Sequence, residues 1–344
     1  MRKQFGAKPS KSDLANYSKS EHWNGSIFKN LQETTMDFRL SQLPKFFYKQ
    51  FFQTNGRTPS NPLPIEAFDP KNFDKNNPEM QSIWYGHSTI FMQLNTKTIL
   101  IDPMFGPDAA PIAPFKVKRF SSNTLDLIDA FPTIDLVLIS HDHYDHLDHQ
   151  SILRLKQKTK QFYVALGVKR HLVGWGIPEN IITEFNWWQT SLWEGITITF
   201  TPTRHFSGRG LTDRAQSLWG GWALKTQTQN LWFSGDSGYG THFKTIGNRL
   251  GPFDFAFMEC GQYNPNWHQI HMYPHESVQA AIDAQVQNMM PVHWAGFALA
   301  QHHWTQPVSL FIQNATAKNC SFTVPKLGAV FQSQNTHYTN WWDI

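Results

Sequence analysis

The segment DLVLISHDHYDHLDHQS, residues 135–151, constrains this chain of 344 residues more than any other part of it. Leu136 to Ile139 form a short apolar run of the kind that makes a buried strand, and His141, His143, Asp145 and His146 follow at its end. In an extended segment alternate side chains share a face, so His141 and His143 point the same way. A turn after them brings Asp145 and His146 in from another direction. Nitrogen and oxygen donors converging at one strand end suit a first-row divalent ion, and neutral imidazole is its commonest protein ligand. A lone histidine would read as an ordinary packed or solvated residue. H-x-H-x-D-H directly after a strand is a spacing that chance rarely supplies.

Three later positions extend the set. His205 follows the alternating run ITITFTPTR, Asp236 closes NLWFSGDSG, and His293 follows MMPV. Each is a ligand-type residue at the end of an apolar run, although a single Asp in such a place is usually a turn residue. Together they supply three ligands for each of two ions and one shared carboxylate. Three protein ligands per ion leave coordination open for water, the arrangement of a catalytic rather than a structural zinc site. Two ions sharing a hydroxide can clamp both oxygens of a displacement, which suits a phosphodiester with its two non-bridging oxygens.

Composition narrows the class. Hydrophobic residues are 40% of the chain, with 27 Phe and 14 Trp, enough for a buried core and too many for a disordered chain. Charged residues are only 16% and the net charge is +4, well short of a nucleic-acid binder's basic face, so no nucleic-acid partner is expected. Two cysteines, Cys260 and Cys320, build neither a disulfide framework nor a cysteine metal site, and a reducing compartment is the simpler reading. No apolar run reaches the ~18 residues of a membrane span, and the N-terminus lacks the apolar core of a secretory signal. The expected location is the cytoplasm, with the inner membrane face open to a peripheral enzyme.

Residues 1–35 read as an irregular or loosely attached arm, followed by the basic, aromatic segment FRLSQLPKFFYKQFFQ at 38–53. That segment is either a helix packed across the sandwich or at a dimer contact, or it is laid on a membrane surface, with Phe46, Phe47, Phe51 and Phe52 in lipid and Lys45 and Lys49 at headgroups. Prolines 59, 62, 64, 70 and 78 predict an extended or looped stretch to about residue 80. Thereafter eight short runs read as strands: 88–94, 98–102, 135–140, 161–166, 196–203, 221–226, 230–236 and 253–259. Helices are expected at 147–158, 168–174, 241–250 and 275–287, which argues for an α/β fold of sheets covered by helices.

HDHYDH with a later His, a later Asp and a final His resembles the metallo-β-lactamase superfamily. WYGHSTIFMQL, ILIDPMF, TRHFSGRGLTDRAQSLWGGWAL and HMYPHESVQAA leading to VHWAGFALAQHHW are similar to the N-acylphosphatidylethanolamine-hydrolysing phospholipase D group and its bacterial relatives, including the ascorbate-phosphate-lactonase-like branch. The resemblance runs from about Trp84 to Pro307. It implies an αββα sandwich of two mixed β-sheets flanked by helices, with a catalytic domain over 81–344 and residues 1–80 as an extension packed on it. It implies two zinc ions, iron or manganese being alternatives, one on His141, His143 and His205 and the other on Asp145, His146 and His293, with Asp236 bridging. Asp145 and Asp236 could also accept the nucleophile's proton. His271 matches a substrate-side or proton-transfer histidine, although Ile270 stands before it where the mammalian phospholipase is expected to have glutamine. A homodimer is implied by resemblance alone.

Around this set, His87 and Asp102 read as orienters of ligands, since a ligating His needs a partner on its other nitrogen. Arg204, Arg209 and Arg214 read equally as phosphate grips or as surface groups. His302 and His303 lie in a plain loop near the entrance, and Trp219, Trp222, Trp294 and Trp304 in the core or the pocket wall. The leading expectation is a binuclear-zinc phosphodiesterase of phospholipase D type acting on a small-molecule or phospholipid substrate. A lactonase or other ester or amide hydrolase on the same metals is the alternative, and an iron-containing oxidoreductase a further one.

Overall fold

The computed structural model describes residues 3–36, 48, 55–74, 76–110, 116–336 and 339–343. Two seven-stranded sheets are built around central apolar strands that are buried on both faces. The first has the order β14-β1-β2-β3-β4-β5-β6: β1 Gln81–Trp84, β2 Ile90–Leu94, β3 Lys97–Ile101, β4 Ile134–Ile139, β5 Thr159–Ala165, β6 Ile182–Phe185 and β14 Val330–Gln332. The second runs β13-β12-β11-β10-β9-β8-β7: β7 Thr190–Trp193, β8 Ile196–Thr201, β9 Gly221–Lys225, β10 Asn230–Phe233, β11 Phe253–Glu259, β12 Val286–Val292 and β13 Ser321–Phe322.

Both sheets are mixed. Strands β3 to β6 are parallel neighbours, and so are β10 to β13, while β1–β2–β3 and β7–β8–β9–β10 are antiparallel meanders. Parallel neighbours need crossovers, and helices supply them. The main ones are α2 His149–Leu155, α3 Lys169–Gly174, α4 His242–Leu250, α5 Pro274–Asp283 and α6 Gln306–Ala317, while α1 Lys11–Tyr17 precedes both sheets. Side chains of both sheets share one hydrophobic core, from Ile83, Ile99 and Leu138 to Phe200, Phe233 and Phe257. This is the αββα sandwich that the resemblance implies.

All eight expected strands and all four expected helices are present: 253–259 has the expected bounds, 98–102 and 135–140 are shifted by one residue, 161–166 begins two residues earlier, and the remaining elements are shorter. Helix α6 lies outside the expected set; Pro307 at its first turn and the buried stripe Val308, Phe311, Ala315 account for it. The loosely attached arm is corrected for residues 3–36. Helix α1 carries a capping box from Ser10 and Asp13, and it buries Tyr17. Phe28 is also buried, and the Ala7 amide donates to His171 Nδ1 at 3.0 Å. Apart from exposed Tyr48, the basic, aromatic segment 38–53 lies outside the described residues.

The topology fixes where chemistry can occur. Strand β4 is parallel to β3, and β1 is parallel to β3 because β2 is antiparallel to both. By the same count β8, β10, β11 and β12 share a direction. The loops that follow these strands therefore emerge at common edges of the two sheets, where His87, Asp102, His141, His205, Asp236, Glu259 and His293 fall.

Candidate metal centre

The chain leaves β4 in an extended conformation, and alternation separates three neighbours. His141 and His143 turn to one side, where His141 Nε2 and His143 Nδ1 lie 3.0 Å apart. Asp142 turns to the other, accepting from Gly208 N–H at 2.7 Å, from the Ser217 hydroxyl, and from His171 Nε2 at 3.2 Å. His205, after β8, brings its Nε2 to 3.1 Å from His143 Nδ1. Tetrahedral zinc with Zn–N of 2.0–2.1 Å needs nitrogens roughly 3.3 Å apart, so the two pairs through His143 are close to edges of such a tetrahedron, and all three ligand atoms lie within 4.8 Å of one another.

The second group gathers around carboxylates. Asp145 Oδ2 is 3.3 Å from His293 Nε2 and 3.6 Å from His146 Nε2. Asp236 Oδ2 lies 3.1 Å from both His146 and His293 Nε2, and 3.9 Å from both His141 and His205 Nε2. That single oxygen faces both triads. The structure thus brings together all seven expected ligands, and all are buried except half-buried His143.

Whether these donors fit cations is answered by their tautomers. Asp102 accepts Ser140 N–H at 2.7 Å, Ser140 Oγ–H at 2.6 Å and His146 Nδ1–H at 2.7 Å. Since the Ser140 hydroxyl proton is spent on Asp102, its oxygen accepts from His141 Nδ1, 2.9 Å away. His205 Nδ1 donates to the Ile270 carbonyl at 2.9 Å. In each case the outer nitrogen carries the hydrogen and Nε2 presents a lone pair inward. His146 Nε2 is buried and makes no hydrogen bond. The donor set fits two divalent ions.

Electrostatics agree. Burial drives His141 and His205 well below the ordinary histidine range and His143 to about 4, so all three are neutral. Burial acts the same way on His146 and His293, but Asp236 and Asp145 outweigh it; His146 is held well above its ordinary value and His293 at about 10. Burial opposes ionisation of Asp236 and Asp145, yet the facing imidazoles keep both carboxyls well below the usual range. A pocket that takes up protons beside ionised carboxylates demands positive charge, which a metal ion supplies in their place.

The orienters expected from sequence occupy such positions. Besides Asp102, His87 Nε2 stands 2.8 Å from Asp145 Oδ2. Arg204 and Arg209 take other roles, while Arg214 is an exposed surface group. Arg209 is buried and donates to the carbonyls of Asp142, Leu147 and Gln4 at 2.6, 2.7 and 3.0 Å. Arg204 holds the Glu33 carbonyl and Gln269 Oε1 at 2.7 and 2.8 Å. Arg214 lies over the Phe206 ring, 3.8 Å from its centroid. His302 Nε2 accepts the Gln262 amide at 2.9 Å, and His303 stays in the exposed loop. The four tryptophans are buried.

Two further residues carry no expectation from sequence. Glu259, at the end of β11, accepts from His271 Nδ1 at 2.5 Å and lies 3.6 Å from His293 Nδ1. Gln262 donates to the Phe297 carbonyl at 2.9 Å and accepts the amides of Leu299 and Ala300, both at 2.9 Å. His87, Asp102, Gln262 and His293 all adopt left-handed backbone, with φ of 54°, 42°, 60° and 68°. A cavity of about 220 Å³ opens onto His143, Asp145, Asp236 and His271, and Met36, Phe206, Trp267, Ile270 and Leu299 form its apolar wall.

Residues 97–294 match a family model described as the beta-lactamase superfamily domain. An uncharacterised protein of Mycobacterium tuberculosis is 33% identical over 315 residues, 90% of this chain and 83% of the relative. N-acyl-phosphatidylethanolamine-hydrolyzing phospholipase D 1 of Caenorhabditis elegans is 30% identical over 269 residues, 73% of this chain and 75% of the relative. Among solved structures, Igni18, a metallo hydrolase from the archaeon Ignicoccus hospitalis, superposes with a TM-score of 0.56 at 19% identity, covering 73% of this chain and 97% of that one.

Proposed function

The chain belongs to the metallo-β-lactamase superfamily, and from that premise we propose that it is a binuclear zinc phosphodiesterase of phospholipase D type that hydrolyses N-acylphosphatidylethanolamine. One observation carries the reading: two three-residue ligand groups share Asp236 Oδ2 at the floor of a cavity whose wall is apolar. Similarity to a relative named for this lipid supports the substrate.

When bound, the two ions polarise the phosphoryl oxygens and generate a nucleophile from water at neutral pH. The chain's own groups do the rest. His141, His143 and His205 would hold one ion and Asp145, His146 and His293 the other, with Asp236 facing both groups. Glu259 accepts His271 Nδ1–H, which leaves the His271 Nε2 lone pair free to take a proton from the attacking water and pass it to the departing alkoxide of the N-acylethanolamine. Water adds to phosphorus, the bond from phosphorus to the ethanolamide oxygen breaks, and phosphatidic acid remains. Met36, Phe206, Trp267, Ile270 and Leu299 accept lipid chain and exclude bulk water from the reacting atoms. The basic, aromatic segment 38–53 is the part assigned to the bilayer surface.

Product analysis by mass spectrometry, with zinc-loaded protein on vesicles containing N-acylphosphatidylethanolamine, tests the reading. Phosphatidic acid from the wild type and none from Asp236→Asn is the expected result. Metal-loaded, folded protein that yields no product there but opens lactones would move the activity to the ester class on the same ions.

A further inference from the structure

Residues 28–36 precede the matched domain by some sixty positions and yet pack beside the metal centre: Phe28, Asn30, Glu33 and Thr34 line a neighbouring cavity together with His205 and Phe206. Phe28 N–H donates to the Ala215 carbonyl at 2.8 Å, Arg204 grips the Glu33 carbonyl, and Thr35 N–H donates to Gln269 Oε1 at 2.9 Å. The strap ends with Met36 in the cavity wall.

Its central contact is a two-point clamp. Asn30 Nδ2 donates to the His205 carbonyl at 2.8 Å, and Asn30 Oδ1 accepts the His205 amide at 3.1 Å. The same oxygen accepts Trp219 Nε1, also at 3.1 Å. His205 follows β8 in a stretch of irregular backbone, so no sheet ladder satisfies its amide and carbonyl. A side-chain amide matches both groups of one residue, and this one fixes the main chain of His205. The imidazole is then fixed at its far end by the Ile270 carbonyl.

We infer that Asn30 is a positioning residue of the metal centre: it holds the backbone of His205 so that Nε2 meets His141 and His143, and the N-terminal strap thereby forms part of the site. This rests on the reading of His205 as a ligand. Partners that orient a ligand are typically worth 10–100-fold in metal affinity. The strap reaches only one triad, so the effect should fall on one ion of the two.

The experiment is a metal titration of the full chain with zinc against a competing chromophoric chelator, and with cobalt followed by its visible spectrum. The proteins are wild type, Asn30→Ala, Asn30→Asp, Gln32→Ala and His205→Ala, with folding checked by circular dichroism. Asn30→Ala should weaken one of two ions by 10–100-fold and alter its cobalt spectrum. Asn30→Asp keeps the acceptor, loses the donor to the His205 carbonyl, and should weaken the same ion if the alanine variant fails to fold. Gln32→Ala, which loosens the strap at Thr241 without touching His205, should titrate like the wild type. Two ions bound by both Asn30 variants with wild-type affinity would overturn the inference. Equal weakening in Gln32→Ala would overturn it too, because the strap would then act as a whole. A His205→Ala protein that titrates like the wild type would instead overturn the ligand reading beneath it.

Discussion

Replacing Asp102 by asparagine removes a charge without changing shape, and the hydrogen-bond directions around it make the outcome specific. The wild-type carboxylate only accepts, so Ser140 Oγ–H and His146 Nδ1–H must both point at it. An asparagine side chain presents an NH₂ on one side. Turned toward Ser140 and His146, that group donates where it used to accept. The serine hydroxyl proton then swings to His141 Nδ1, which becomes an acceptor, and His141 carries its hydrogen on Nε2. His146 is forced the same way. Both rings would aim an N–H where a lone pair is needed, one in each triad.

Loss of an orienting partner costs 10–100-fold in metal affinity, about 1.4–2.8 kcal/mol per ion, and here it strikes both ions together. Asp102→Asn should therefore lower both zinc affinities by at least tenfold while near-ultraviolet circular dichroism stays native. Turnover at limiting zinc should fall with occupancy and recover in part as zinc is raised. Unchanged binding of both ions, or weakening of the His146 ion alone, would refute the idea that one carboxylate sets the tautomers of both triads.

Three other expectations follow from the geometry. Glu259→Gln should retain both ions but lower kcat by tenfold or more, because His271 loses the carboxylate that fixes its proton; steady-state rates at saturating zinc decide this. Arg209→Met should reduce Tm markedly, since it strands buried carbonyls at about 1–3 kcal/mol each, while leaving KM for a phosphodiester unchanged in whatever stays folded. A large rise in KM would restore Arg209 as a phosphate grip. Stripping metal with a chelator should lower Tm, because an ion present at a thousand times its Kd stabilises by about 4 kcal/mol; a calorimetric scan with an unchanged midpoint would contradict a resident ion.

Much of this architecture was legible because burial on both faces writes continuous apolar runs, and each such run named a strand. Strands β7, β13 and β14 escaped for the opposite reason: they are short and only partly buried, so their residues need not be apolar. Strand β12 was obscured by Gln287, Asn288 and Pro291, although Asn288 is buried and satisfied by Thr323 and the Ser333 carbonyl. The seven ligand-type residues stood out because they follow apolar runs, four of them clustered after one strand and His205, Asp236 and His293 each after another. Glu259 terminates one too, in FDFAFME, and that placement was the available signal for it. Asn30 offered none, since its role is exerted on the backbone of a residue 175 positions away. The arginines misled in a different way: guanidinium beside a ligand suggests an anion, but Arg204 and Arg209 spend their donors on carbonyl oxygens of loops that must hold still.

The left-handed backbone at His87, Asp102, Gln262 and His293 also bears on how this sequence can drift. Non-glycine residues in that region are held there at a cost of order 1–3 kcal/mol each, and glycine would relieve it. At His87, Asp102 and His293 glycine would also erase the group that orients or holds a ligand, and at Gln262 the side chain that ties down the loop of Phe297, Leu299 and Ala300 at the cavity, so the relief is closed to selection. The hairpin turn between β2 and β3 has the same backbone at Asn95 and Thr96, with φ of 48° and 62°, and carries no such duty. Heat-adapted descendants of this chain would thus be free to gain glycine at the turn while keeping the four site positions unchanged. A local conformation that looks identical at six places would be labile at two and frozen at four.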